Sequence, residues 1–225
     1  MDTSDQHYTG EKGQDYFDQR QSVLRTQVQT RRADLFMDLA SDDLAILDFG
    51  CGNGGLLSAL PAAKRIGVEI SEPARMAAAN VLDTVQPSLQ EIDNDSADLV
   101  ISHHALEHVA NPTAIIQELV RVLKPGGTMR IVVPCEMPVL LSAHRHWKPN
   151  IDQHFYTWSP LHLGNLLKSC GLEIENAHLS PKLTPGRVIS IFMGIPVLDK
   201  KLLWLKSILS GKIDTVVTTK KPSTS

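Results

Sequence analysis

The chain has 225 residues, a formal net charge of −3 and a pI near 6.3, with 42% hydrophobic and 21% charged residues. Those proportions are ordinary for a globular protein and leave room for one substantial core, so a single domain over 1–225 is expected. They exclude a broad basic face for bulk nucleic-acid binding and favour a small or neutral partner. Cys51, Cys135 and Cys170 have no C-x-x-C spacing, which argues against a disulfide framework or a zinc knuckle and fits a reducing, cytoplasmic setting. No run is long and apolar enough for a membrane span, and the polar opening "MDTSDQHYTGEKGQDYF" does not resemble a signal peptide.

In chain order, "SVLRTQVQTRRADLFMDLA" repeats leucine and valine at helical spacing and reads as an amphipathic helix within a helical cap over 1–43. A core over 44–180 follows. "LAILDFG" (44–50) and "RIGVEI" (65–70) are short apolar runs of the kind that form buried parallel strands, with "NGGLLSAL" and "EPARMAAAN" as helical crossovers. "ADLVIS" (97–102) is another strand. Asn111 and Pro112 open the helix "TAIIQELVRVL", and Pro125-Gly126-Gly127 end it before the strand "TMRIVV". Ser159 and Pro160 repeat that opening, and Gly171 closes the helix ahead of "LEIENAHL". This alternation implies an α/β, doubly wound Rossmann-like sheet with helices on both faces. After it come an apolar, proline-interrupted insertion or lid over 181–212 and a last strand with a tail over 213–225.

The stretch "LDFGCGNGGLL" (47–57) fits two ligands. Gly50, Gly52 and Gly55 give the G-x-G-x-x-G of a dinucleotide site, while Asp48, Gly50, Gly52 and Gly54 give the D-x-G-x-G of an S-adenosylmethionine site. Glycines serve either cofactor by letting backbone approach the ligand. The sign of Asp48 discriminates: a carboxylate at the end of the first strand repels a pyrophosphate and attracts the ammonium group of S-adenosylmethionine. Glu69, at the end of the second strand, can accept from two ribose hydroxyls.

In these motifs the chain resembles the Rossmann-like, S-adenosylmethionine-dependent methyltransferases: "LDFGCGNGG", "GVEIS", "ADLVISHHALEHV" and "ELVRVLKPGGTMRIVVP" follow the family's motifs in order. The resemblance implies seven strands, mostly parallel with the last antiparallel. It also implies cofactor contacts from Asp48, Gly50, Cys51, Gly52, Asn53, Gly54, Glu69, Ile70 and His103. The segment that usually holds the adenine is abbreviated to "VLDTVQPSLQEIDNDS". "GQDYFDQR" resembles the segment that folds over the cofactor, with Tyr16, Phe17 and Arg20 as closing residues and Arg20 facing the cofactor carboxylate.

Methylation of a hydroxyl needs a proton acceptor or a metal ion. "HHALEHV" supplies both chemistries. His104, Glu107 and His108 fall at i, i+3 and i+4, on one side of a helical turn, and resemble the E-x-x-E-H set of metal-dependent O-methyltransferases, with His104 in place of the first acid. With His154 of "DQHFYTW" as fourth ligand, they are expected to hold one divalent ion; without an ion, His108 or His154 is the expected catalytic base. The acceptor expected is a small-molecule or glycan-like hydroxyl compound. Two other readings use the same residues: a nicotinamide-dependent dehydrogenase, which Asp48 opposes, and a non-catalytic cofactor-binding module.

Overall fold

The computed structural model describes residues 8–10, 13–14, 31–135, 154–181 and 213–223. Tyr16, Phe17, Arg20, most of the expected N-terminal helix and the apolar segment 183–210 lie outside them.

Among the described residues seven strands form one sheet: β1 (Ser41–Phe49), β2 (Ala62–Val68), β3 (Thr84–Gln86), β4 (Ala97–His103), β5 (Leu123–Cys135), β6 (Glu173–Pro181) and β7 (Ile213–Lys220). Their order is β3-β2-β1-β4-β5-β7-β6. Neighbours are parallel from β3 through β5, and β7 runs antiparallel to both β5 and β6. The mostly parallel, seven-stranded sheet with an antiparallel last strand is thus present.

Side-chain alternation along the strands builds a core on each face. Ile46, Leu99, Ile101, Val132 and Val216 pack on one face with Phe36, Leu57 and Leu60. Leu47, Val100, Ile131, Val133 and Val217 pack on the other with Ile116, Leu119, Leu163 and Leu167. Each such fully buried aliphatic side chain contributes about 1.5–3 kcal/mol. The second face is covered by α2 (Pro112–Val122) and α3 (Pro160–Ser169), and α1 (Glu72–Ala78) follows β2. Both helix openings form as read: Asn111 accepts from Ala114 N at 3.2 Å, Ser159 accepts from His162 N at 3.2 Å, and each is followed by proline.

Three local expectations are corrected. "NGGLLSAL" gives only a 3-10 turn, Leu57–Ala59, with left-handed Gly54 interrupting its start. The polar "SDD" that directly follows the expected N-terminal helix opens β1. Pro125-Gly126-Gly127 are a bulge within β5, spanning the step from the Ala97↔Leu123 pair to the Leu99↔Thr128 pair, with Gly126 at φ +76°. The three-residue β3 was not anticipated at all.

Candidate active site

β1 connects outward to β2 on one side and β4 lies on its other side, so the strand order reverses at β1, the crevice where open α/β sheets bind ligands. A pocket of about 500 Å³ opens there, lined by Phe49, Gly50, Glu69, Ile70, His104 and His108 among others.

Of the turn after β1, Gly50 lines this pocket, whereas the expected contacts Asp48, Cys51, Gly52, Asn53 and Gly54 are not among its lining residues. Gly50 N and Cys51 N donate to Val68 O at 2.8 and 3.2 Å, folding the turn back on β2. Gly50 sits at φ +76°, and a Cβ there would lie 2.4 Å from Ala105 Cβ, so only glycine fits. Gly52 and Gly54 are left-handed too, and Asn53 Oδ1 accepts from Gly55 N at 3.0 Å. The Cys51 thiol is buried and pushed well up, first by burial and then by the Asp48 and Glu69 carboxyls.

Two buried carboxyls bracket this turn. Glu69 accepts from Gly52 N and from Ser71 N, both at 2.9 Å, which ties the glycine turn to the end of β2. Burial raises its pKa and these amide hydrogen bonds oppose the rise. Asp48 is 2% exposed, and its Oδ1 has no hydrogen-bond partner among the described residues. Burial, with the Glu69 charge second, pushes its carboxyl up to about 8. A buried carboxyl with an idle oxygen costs free energy until a donor or cation meets it.

The side walls contain residues that sequence reasoning missed. Pro87, Ser88, Leu89 and Gln90, just past β3, close the pocket where the abbreviated segment left adenine recognition open. The signal was the short "TVQ" strand, too brief for periodicity to reveal. Tyr8 and the α2 residues Ala114, Ile115 and Glu118 complete the lining.

The histidine edge departs from expectation. "LEH" forms a 3-10 turn, Leu106–His108, in place of an α-helical turn, and His104 precedes it at φ +54°. A left-handed non-glycine residue costs on the order of 1 kcal/mol, and it turns the His104 side chain away from the expected direction. His104 Nε2 lies 2.9 Å from Asp214 Oδ1 on β7, while its Nδ1 is 3.9 Å from Glu107 Oε1. His103 does not line the pocket as expected. Its ring stacks on His104 at 4.2 Å, and its Nδ1 is 3.4 Å from Arg32 Nη1. Burial pulls Arg32 below the ordinary guanidinium range, and the nearby Asp214 and Glu107 carboxylates oppose that pull.

His154 does reach His108. Phe155 N donates to Glu107 O at 2.9 Å, pinning "HFYTW" beside the turn and placing the two imidazoles 4.9 Å apart. His108 Nδ1 is 2.9 Å from the Tyr8 hydroxyl, and its Nε2 is 3.8 Å from Glu107 Oε1. Among the described residues the four expected metal ligands therefore split into two groups, Glu107 with His108 and His154, and His104 with His103 and Asp214. Within each group the ligating atoms all lie within 4.8 Å of one another, close enough for that group to hold an ion. The four expected ligands are not gathered in one group, so the four-ligand ion does not fit this arrangement.

Comparison with known proteins agrees with this geometry. Residues 18–177 match the family model described as a methyltransferase domain. The chain belongs to that family of S-adenosylmethionine-dependent methyltransferases. Among curated methyltransferases, it is 31% identical over 130 residues to the tRNA (carboxymethyluridine(34)-5-O)-methyltransferase of Arabidopsis thaliana, covering 55% of this chain and 32% of that protein. It is 38% identical over 95 residues to the ubiquinone biosynthesis O-methyltransferase of Dechloromonas aromatica, covering 36% of this chain and 40% of that one. The match thus spans well under half of these relatives' length. The same methyltransferase fold appears, at 19% identity and a TM-score of 0.68 over 99% of both chains, in a methyltransferase solved with the Haloferax volcanii Trm112 activator. It appears again, at 16% identity and a TM-score of 0.60 over 90% of this chain and 53% of the other, in a Haemonchus contortus phosphoethanolamine N-methyltransferase bound to S-adenosyl-L-methionine. Among the described residues no helix is long and apolar enough to cross a membrane.

Proposed function

We propose that this protein transfers a methyl group from S-adenosylmethionine to a hydroxyl of a small-molecule or glycan-like acceptor. The observation that carries the cofactor reading is Asp48: a buried carboxyl with an idle oxygen beside the glycine turn suits a cation and opposes a pyrophosphate. Gly50 brings backbone close to the ligand, and the second lone pairs of the Glu69 oxygens serve ribose hydroxyls. When bound, the sulfonium supplies an activated methyl group. The chain's own task is to align the acceptor, exclude water and receive the acceptor's proton.

The O-methyl reading is supported by the names of the curated relatives, an O-methyltransferase for tRNA and one in ubiquinone biosynthesis, and by the histidines at the pocket edge. His108 and His154 are the proton acceptors read from the sequence, and the net charge of −3 favours the small acceptor over bulk nucleic acid. Calorimetry with S-adenosylmethionine and with NADH tests the cofactor. Binding of the first alone is expected; binding of NADH alone would overturn it in favour of a dehydrogenase. Screening acceptor pools with a labelled methyl donor tests turnover, and cofactor binding without transfer to any pool would favour a binding module.

A further inference from the structure

We propose that Glu118, on α2, selects the cofactor's base by accepting a hydrogen bond from the exocyclic amine of adenine, and that Arg121 is the positioning residue that holds Glu118 against the wall of the base site. The inference deepens the methyltransferase reading above and rests on it. Strand order gives the direction of the nucleoside. In that reading Glu69, at the end of β2, serves the ribose, and the edge strand β3 lies beyond β2, so the base extends toward Ile70 and residues 87–90 just past β3. The same pocket is closed from α2 by Ala114, Ile115 and Glu118. Leu89 and Ile92 share a core cluster with Ile116, Leu119 and Val122 of α2, which fixes the helix against this wall.

Arg121 joins helix and wall. Its Nη2 donates to Leu89 O at 2.7 Å and to Glu118 Oε2 at 2.8 Å, so the carboxylate stands beside the 87–90 wall. Nε donates to the same Oε2 at 3.0 Å, and Nη1 donates to Ile92 O at 2.8 Å and to Asn94 Oδ1 at 2.6 Å. These five bonds use the five N–H groups of the guanidinium, a fork that an ammonium group cannot reproduce. Glu118 lines the pocket, and its Oε1 accepts no hydrogen bond among the described residues. Of the polar side chains at this end, the Ser88 hydroxyl and the Gln90 amide can each donate or accept, whereas a carboxylate only accepts. An adenine amine donates; the carbonyl that hypoxanthine carries at the same ring position does not. Glu118 therefore favours the first base and repels the second, and it does so where the pocket-lining residues past β3 include no acid.

The test uses the full chain and calorimetry with two probes, S-adenosylhomocysteine and S-inosylhomocysteine, which differ in carrying an amine or a carbonyl on the base. The wild type should bind the adenosyl probe about tenfold or more tighter, as expected when a hydrogen bond to a charged group is replaced by two facing acceptors. Glu118→Gln keeps the side-chain length and lets the remaining oxygen stay with Arg121 while the new amide donates into the pocket. The preference should then shrink to within about twofold or reverse. Arg121→Lys keeps the charge and loses the fork, and should lower the preference by about threefold or more. Equal affinities or tighter inosyl binding in the wild type, or an unchanged ratio in Glu118→Gln with both probes weakened alike, would overturn the role of Glu118. Equal weakening of both probes by Arg121→Lys would overturn the positioning role of Arg121. A wild type that binds neither probe would overturn the methyltransferase reading itself, and the base contact with it.

Discussion

The glycine turn and the histidine edge face each other across one pocket, yet they are built in different ways. The turn draws its chemistry from Asp48 to Ser71, two successive strand ends held by backbone hydrogen bonds at 2.8 and 3.2 Å and by two backbone amides that donate to the Glu69 carboxylate at 2.9 Å. The edge collects Tyr8, Arg32, His103 to His108, His154 and Asp214 from distant parts of the chain, joined by side-chain contacts. A site fixed by backbone is rigid and tolerates little change. One assembled from side chains can be altered residue by residue, so substitutions on the two sides should differ in kind.

The largest effect is expected at the turn. Glu69→Ala removes the acceptor for two buried amides at about 1.5–3 kcal/mol each. Both denaturant stability and S-adenosylmethionine affinity should fall, the latter at least tenfold by calorimetry. Gly50→Ala should cost roughly 2–5 kcal/mol, since it adds a clash with Ala105 to a left-handed backbone; urea unfolding measures it. If either variant behaved like a surface substitution, the contrast between the two regions would collapse.

Asp48→Asn sharpens the comparison through pH. The folded pKa of Asp48, about 8, lies above its unfolded value near 3.8. The neutral carboxyl thus favours folding at low pH, and that contribution is lost as pH rises through the window from about 4 to 8, at up to roughly 1.4 kcal/mol per unit. Without cofactor, the asparagine variant should gain stability relative to wild type across that window while binding S-adenosylmethionine more weakly. Thermal unfolding at pH 5 and pH 8 would show it. Parallel pH profiles for the two proteins would mean that Asp48 is ionised in the free enzyme.

Smaller effects are expected at the edge. Tyr8→Phe removes one hydrogen bond to His108, about 0.5–1.5 kcal/mol in unfolding experiments. Exhaustive chelation should leave methyl transfer within twofold, because the four expected ligands fall into two groups and do not gather around one ion. Loss of turnover on chelation, restored by a divalent metal, would show that the edge closes on an ion after all.

The same contrast explains what could be read from the sequence. The strand–turn–strand arrangement that carries Asp48, the glycines and Glu69 was legible because its parts follow one another at short spacing, and the helix caps at Asn111 and Ser159 are equally local. His154 was reachable by residue type, and the Phe155-to-Glu107 backbone hydrogen bond explains why it arrives beside His108. Asp214 was not legible: it lies 110 residues from His104, and antiparallel pairing of β7 with β5 brings it there. Helical spacing also misdirected His104, since i, i+3, i+4 logic assumes an α-helix and the segment folds as a 3-10 turn behind a left-handed residue.

The position of β7 has a consequence for synthesis. It is the last strand in chain order yet lies inside the sheet, between β5 and β6, and its Val216 and Val217 enter the cores on both faces. A nascent chain emerging from its N-terminus can pair β1 through β5 early, but among the described strands β6 has no neighbour until residues 213–220 have left the ribosome. Closure of the sheet and delivery of Asp214 to His104 are therefore the same late event. A translating complex stalled before residue 213 should present an open edge at β5, and the His104–Asp214 contact would form only when synthesis passes it.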